Sequence, residues 1–361
     1  VSDAAHDPMR QGEAREYNRR RRRVGTAASL VSLATLVAIT LAAGSLGGWG
    51  TLVALAVALP LVSLPFGLIG HRLSRSYGLS RQTAGGWFAD WLKGVALSDV
   101  LGGLAALAVL GCQRLWPHAW PLPAWALAVA LGLVLAAAWP LVLLPIFVRS
   151  RPLDAGPLAD ALTQTADQAG VAVRELRLLL MGEKTSAANA MVAGLGPTVR
   201  IYVGDTLTEG NEYSTDSEAL GHTRVVLAHE LGHRVHHDVW RLMAVSIAST
   251  GAGMFGAWLG VMWLAPDGVG HLTTLPSFVL GFALASALVS PASAWYSRRR
   301  EWEADHYAIR LTGEGATYAR AFERLTAQNL MELDPPRLRH LLTGSHPTPR
   351  QRIEAARGWQ E

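Results

Sequence analysis

Cysteine is almost absent. Cys112 is the only one in 361 residues, so no disulfide can close within the chain and no cysteine-based zinc site can be built. Charge is scarce as well: Asp, Glu, Lys and Arg make up 17% of the residues, against about 25% in an average soluble domain. From Val24 to Gly70 there is no charged residue and no histidine. Half of the chain is hydrophobic, too much apolar surface to remain solvated and disordered. The net charge of +4 is too small to argue for nucleic acid. With a mean hydropathy of +0.21, what remains is a membrane protein long enough for two or three domains.

About 20 apolar residues span a bilayer as helix, so residues 24–70 hold two spans. Gly44, Gly47, Gly48 and Gly50 mark the hairpin between them. Lys93 to Arg114 frames a third span, interrupted by Asp99, a carboxylate that is costly in a membrane. Pro121 to Val148 is a fourth, with Pro140 and Pro145 near its far end. Leu242 to Pro266 and Leu272 to Ser297 complete six. Arg19 to Arg23, Arg72, Arg75, Arg81, Arg149, Arg151, Arg241 and Arg298 to Arg300 all fall on one side if both termini are cytoplasmic. The arginine run beside the first span reads as a topological signal in contact with anionic lipid, not as a nucleic-acid site. No small-residue cleavage site precedes the hairpin, which argues against a signal peptide.

Two polar blocks remain. In the first, residues 149–241, Leu158 to Ala169 reads as an amphipathic helix stopped by Gly170. Leu176 to Met181 and Thr198 to Val203 read as strands, with Ala187 to Leu195 a third between them. Asp216 to Asp238 reads as a helix capped by Asp216 or Ser217, running on into the fifth span. The second block, residues 298–361, reads as helical with breaks at Pro335-Pro336 and at His346 to Pro349.

The chemistry lies in His229-Glu230-Leu231-Gly232-His233, an HExxH on the expected helix. Residues i and i+4 share a helical face, so both imidazoles can bind one zinc while Glu230 lies beside the bound water and takes its proton. A catalytic zinc takes a third protein ligand. A membrane hairpin returns the chain to the face it left, so the segment after the sixth span must meet the HExxH helix. It reads Glu301-Trp302-Glu303-Ala304-Asp305. Glu301 and Asp305 share a face, with Glu303 nearly opposite. Glu301 is the expected third ligand and Asp305 the carboxylate behind it that orients a histidine. The two roles could be exchanged, and an acidic turn balancing the arginines is the plainer alternative. His236 and His237 read as interfacial polar groups, and His71, His118 and His271 are assigned no role.

HELGH at 229–233 with EWEAD at 301–305 across a membrane hairpin resembles the integral-membrane zinc metallopeptidases comprising type I CAAX prenyl proteases and HtpX-like proteases. SAANAMVAGLG at 186–196, VRIYVGDTL at 199–207 and HPTPRQRI at 346–353 resemble further segments of that family. SYGLSRQTAGGWFADWLKG at 76–94, and four spans before HExxH, resemble the prenyl protease branch in particular. The eukaryotic enzymes of that branch carry seven spans around a large chamber, and this chain has six by the count above.

The resemblance implies zinc on His229, His233 and Glu301, with Glu230 as general base. It implies Asn189 and Ala190 on an edge strand that pairs with an extended substrate. It implies His346 and Arg352 as hydrogen-bond donors to the developing oxyanion or the substrate carbonyl.

The expected fold is a mostly α membrane protein of six transmembrane helices. A cytoplasmic α+β zincin-like HExxH catalytic domain is split by the last transmembrane hairpin. Its parts are a basic tail (1–23), a four-helix region (24–148) with a cytoplasmic loop (71–93), the first catalytic part (149–241), the hairpin (242–297) and the second catalytic part (298–361). The expected activity is zinc-dependent hydrolysis of peptide bonds in membrane-associated or misfolded proteins at the cytoplasmic face. The alternative is an idle membrane scaffold that binds extended or lipidated peptides. One Zn2+ per chain, a polypeptide substrate held as an extended strand and the lipid bilayer are the expected partners, with no nucleic acid. Arginine preferred over lysine, with abundant Ala, Gly and Leu, suggests a GC-rich bacterial gene, hence a bacterial plasma membrane.

Overall fold

The computed structural model describes residues 5–194, 196–208 and 215–359. The chain is mostly helical. Helix α1 (Pro8–Val53) passes through a π-helical turn into α2 (Leu59–Ser76), followed by α3 (Ala84–Leu115), α4 (Pro121–Ala138) and the short α5 (Leu144–Phe147). Next come β1 (Ser150–Pro152), α6 (Pro157–Gln168), β2 (Glu175–Leu179), β3 (Ala190–Ala193) and β4 (Arg200–Gly204). Then follow α7 (Ser217–Val235), α8 (Asp238–Leu264), α9 (Leu275–Thr312), α10 (Gly315–Gln328), α11 (Arg337–Thr343) and α12 (Pro349–Arg357).

Among the described residues five helices are long and apolar enough to cross a membrane: Pro8–Ser76, Ala84–Leu115, Pro121–Phe147, Asp238–Leu264 and Leu272–Thr312. The first is not straight. In a straight helix Tyr17 and Ser74 would be about 85 Å apart, yet their hydroxyls lie 3.0 Å from each other. The chain turns back at Gly47, whose φ of 67° and ψ of 175° leave the helical region. The glycine cluster does mark the reversal, through one residue that needs a conformation open to glycine.

Helices α8 and α9 form a tight hairpin. A Cβ on Gly256 would clash with the Gly281 carbonyl oxygen, and one on Gly260 with that of Ser277. Gly256 and Gly260 on one helix, with Ser277, Gly281 and Ala285 on the other, follow the small-xxx-small pattern that lets backbones touch where lipid supplies no hydrophobic drive. Outward-facing side chains such as Leu288 (82% exposed) present apolar surface to the surroundings.

The sheet runs β1-β2-β4-β3, with β2 and β4 parallel and the outer pairs antiparallel. Leu158, Leu162 and Ala166 of α6 pack with Ile201, Val203, Leu227 and Leu231, sandwiching α7 onto the sheet. On its other face Tyr202 packs with Leu144, and its hydroxyl reaches the Pro140 carbonyl. The sheet therefore rests on the end of the Pro121–Phe147 helix.

Three local expectations are corrected. The HExxH helix does not run into the next span: it ends at Val235, and His237 adopts a left-handed φ of 55° that breaks the i→i−4 ladder before α8 starts. A three-residue 3-10 turn at Gly196–Thr198 delays β4 to Arg200. An unexpected β1, ending in Pro152, occupies the opposite edge, where a missing N–H is tolerated. Leu195, the expected end of the β3 segment, lies outside the described residues.

Two segments from the N-terminal half brace the part of the chain that carries HExxH. The start of α1 reaches the turn after α10: Asn18 donates to the Leu330 carbonyl and Gln11 to that of Met331. The loop after α2 straps the segment before β3, with Arg81 N–H on the Lys184 carbonyl and Ser186 N–H on that of Leu79, and Asp90 of α3 pairs with Lys184.

Candidate active site

Helix α7 starts at an Asp216 side chain that accepts from Glu218 N–H and carries His229, Glu230 and His233. Helix α9, past its apolar stretch, carries Glu301 and Asp305. The two helices cross at Gly232, where a Cβ would come within 3.1 Å of Ala304 Cα and 3.2 Å of the Tyr307 ring. That contact lets Glu301 reach both histidines. Its carboxylate lies 3.3 Å from His229 Nε2 and 3.5 Å from His233 Nε2.

Those spacings can be tested against a metal. Ligands about 2.0–2.1 Å from a tetrahedral zinc stand about 3.4 Å from one another, close to both distances. The three ligand atoms lie within 4.8 Å of one another. Glu301 Oε2 is buried and makes no hydrogen bond despite its nearness to His229, as two donors aimed at a shared cation would be. The donor set fits zinc.

Each histidine is held from behind by a carboxylate. His229 Nδ1 lies 2.9 Å from Asp305 Oδ1, and His233 Nδ1 lies 3.0 Å from Asp238 Oδ2. Such bonds fix the tautomer that leaves Nε2 free to bind a metal. Asp305 accordingly stands behind His229, while Glu301 faces both Nε2 atoms. Burial opposes charge on His233, but its bond to Asp238 and the facing Glu301 carboxylate outweigh it and push the pKa up to about 10. Burial also opposes charge on His229, and Asp305 and Glu301 again outweigh it. Both imidazoles are drawn toward positive charge among three carboxylates, the place a bound cation would fill. Burial pushes the Glu230 carboxyl up, against the neighbouring histidines.

Arg352, near the start of α12, is buried at 5% exposure. Its Nε donates to Asp305 Oδ2 at 2.8 Å, Nη2 donates to Asp305 Oδ1 and to Tyr318 Oη, and Nη1 lies 3.9 Å from Glu301. Its guanidinium stacks 3.9 Å over the Phe322 ring. The structure thus engages Arg352 chiefly with Asp305, where the resemblance implied a donor to substrate. His346 stands at the rim of the site, its Nε2 3.2 Å from Glu301, and desolvation by the surrounding protein pushes its pKa down.

A cleft of about 270 Å³ joins Ala188, Asn189 and Ala190 to His229, Glu230, His346 and Arg352. Among the described residues strand β3 pairs with β4 alone, and its other edge faces this cleft. The Asn189 carbonyl accepts from Gly204 N–H. By antiparallel alternation, the N–H and C=O of Ala190 therefore point away from β4.

Two features were missed from the sequence. Asp238 lies five residues beyond His233; a carboxylate one turn past the motif was the available signal. Asn329 donates to the Ala188 carbonyl and accepts its N–H, and Gln328 donates to the Ser186 and Thr206 carbonyls. Side-chain amides gripping backbone 122 to 142 residues away leave no pattern in the sequence. His236 packs edge-on to Tyr307, and Asp99 lines an apolar cavity of about 300 Å³ between α1, α3 and α9.

A model described as peptidase family M48 matches residues 152–360, and one described as CAAX prenyl protease N-terminal, five membrane helices, matches residues 6–149. The uncharacterized metalloprotease YhfN of Bacillus subtilis is 31% identical over 304 residues, covering 82% of this chain and 70% of its own. CAAX prenyl protease 1 of Saccharomyces cerevisiae is 26% identical over 322 residues, 82% of this chain and 68% of its own. Protease HtpX of Pseudomonas syringae is 30% identical over 223 residues, 55% and 70% respectively. The crystal structure of S. mikatae Ste24p shares the fold, with a TM-score of 0.78 at 21% identity over 97% of this chain and 89% of that one. With two family models covering it almost from end to end, the chain belongs to peptidase family M48 and is an integral-membrane metalloprotease.

Proposed function

We propose that the chain is a zinc endopeptidase that cuts extended segments of membrane-associated or misfolded proteins at the cytoplasmic face of a bacterial plasma membrane. His229, His233 and Glu301 would hold the zinc. The observation that carries this reading is the convergence of two Nε2 atoms and one carboxylate within 4.8 Å, beside Glu230 and an open strand edge. Bound zinc supplies a Lewis acid that polarises the scissile carbonyl and makes water acidic.

The chain's own groups do the rest. The Ala190 N–H and C=O pair with the substrate backbone, and Asn189 beside them lines the cleft, so binding is independent of sequence. The Glu230 carboxylate takes the proton of the attacking water and returns it to the leaving amine. His346 Nε2 donates to the substrate carbonyl oxygen as charge builds there. Asp305 and Asp238 hold the histidines in register, and Arg352 acts by holding Asp305.

The reversal at Gly47 supports two spans in the Pro8–Ser76 helix, hence six in all and a catalytic domain divided by the α8–α9 hairpin. The division 1–23, 24–148 with loop 71–93, 149–241, 242–297 and 298–361 follows from it, with both termini cytoplasmic by the arginine distribution. No observation favours the idle-scaffold alternative.

The test compares detergent-purified wild type with Glu230→Gln on an unprenylated, unstructured protein, fragments being read by mass spectrometry. Chelator-sensitive cleavage that drops at least about 10²-fold in the variant, with zinc content unchanged, is expected. Cleavage persisting in the variant overturns the assignment of Glu230.

A further inference from the structure

Helix α11 (Arg337–Thr343) carries three leucines and buries none of its residues. Leu338 is 71% exposed, Leu341 50% and Leu342 43%. At 100° per residue the three fall within an arc of about 100°, flanked by Arg337 on one side and Arg339 on the other. The protein grips this helix by its backbone rather than by its apolar side chains. Arg298 donates to the carbonyls of His340, Leu341 and Gly344, satisfying the end of the helix.

Arg298 also gives the helix a depth. It is the first charged residue after the uncharged run of α9, so it stands where α9 leaves the hydrocarbon. Trp295, one turn earlier, is 57% exposed, and Trp240 at the start of α8 is 53% exposed. Exposed tryptophans at span ends are the mark of a membrane–water interface. An apolar stripe with arginines on both flanks, tied to that level by three hydrogen bonds, has the makeup of a helix lying in the interface.

We propose that α11 is such an in-plane helix. Its three leucines sit at the boundary of acyl chains and headgroups in the leaflet on the catalytic side, and Arg337 and Arg339 reach anionic phospholipid headgroups. Only Gly344 and Ser345 separate α11 from His346, so the bilayer itself helps to hold one wall of the cleft. This inference rests on the membrane placement of α9 and is independent of the peptidase chemistry above.

The test uses full-length protein in nanodiscs of phosphatidylcholine and phosphatidylglycerol. Cys112 is buried and is replaced by Ala; nitroxide labels then go on Leu338→Cys, Leu341→Cys, Leu342→Cys and, as controls, Arg339→Cys and Leu288→Cys. Power saturation compares collisions with oxygen and with a water-soluble nickel chelate. The oxygen-to-nickel ratio at 338, 341 and 342 is expected to approach that at 288 and to exceed that at 339. Nickel-dominated collisions at the leucines mean a face open to water and overturn the proposal. Poor access for both probes means that a second copy or another protein covers the face, which overturns it equally. In discs of phosphatidylcholine alone the ratio at the leucines should fall; an unchanged ratio removes the anionic headgroups from the proposal.

Discussion

Replacing Asp238 with Asn tests whether the carboxylates behind the histidines set metal affinity. Asp238 is 1% exposed. Its Oδ2 takes the His233 Nδ1 bond at 3.0 Å, while Oδ1 lies 3.6 Å from Arg300 and 3.9 Å from Arg241. Asn keeps the shape and an acceptor but removes the charge that makes the imidazole a stronger donor to a cation. Loss of such a partner costs about 10- to 100-fold in metal affinity, or about 1.4–2.7 kcal/mol. Arg300 retains Glu303 as an ion-pair partner, so the fold should survive. The assay is zinc competition against a chromophoric chelator with detergent-purified protein, run beside activity at rising free zinc. Half-saturating zinc should rise about 10- to 100-fold while turnover at saturating zinc recovers. Asp305→Asn is the contrast: it strands the buried Arg352 charge, at a cost of about 3–5 kcal/mol in folding stability. Unchanged zinc affinity in Asp238→Asn, or a loss of activity that zinc does not restore, would refute the reasoning.

Gly281→Leu should open the α8–α9 hairpin, because even a Cβ there would clash with the Gly256 carbonyl oxygen. Overpacking of this kind costs about 1–3 kcal/mol or more, to be read as a lowered thermal midpoint in detergent together with lost zinc binding at the distant site. Asn329→Leu leaves the Ala188 N–H and C=O without their partner. It should raise KM about tenfold, from one to two kcal/mol of lost positioning, with kcat held; a fall in kcat alone would count against a role in strand placement. Chelation should lower the thermal midpoint, because it removes the metal's binding contribution to stability, about 2.7 kcal/mol at a zinc concentration 100 times Kd, and zinc should restore it. In Glu301→Gln that zinc-dependent shift should shrink sharply in scanning fluorimetry.

Local chemistry made much of this molecule legible. The uncharged runs had to become membrane helices because only helices or closed barrels satisfy backbone polar groups in hydrocarbon. Alternating Leu, Val and Ile gave the strands around β2 and β4, and Asp216 capped α7 as its residue type favours. The i, i+4 spacing of His229 and His233 carried its own geometry. The strongest local patterns still left boundaries open. His237 in a left-handed conformation, which ends α7 before the span, belongs to a residue type that often continues a helix.

The sequence by itself determined that two imidazoles and a glutamate share one helix face and that Glu301 and Asp305 share another, because helical periodicity needs no partner. Which of those two carboxylates faces the Nε2 atoms was decided by the tertiary structure. The crossing of α7 and α9 at Gly232 and the small-residue seam of the membrane hairpin set the rotation of one helix against the other. The same holds for Arg352, whose guanidinium is turned onto Asp305 by burial against Phe322 and Tyr318. It holds too for Asn329, which finds its backbone partner 141 residues away. Such contacts rest on packing between elements remote in the chain, and periodicity within one element carries no information about them.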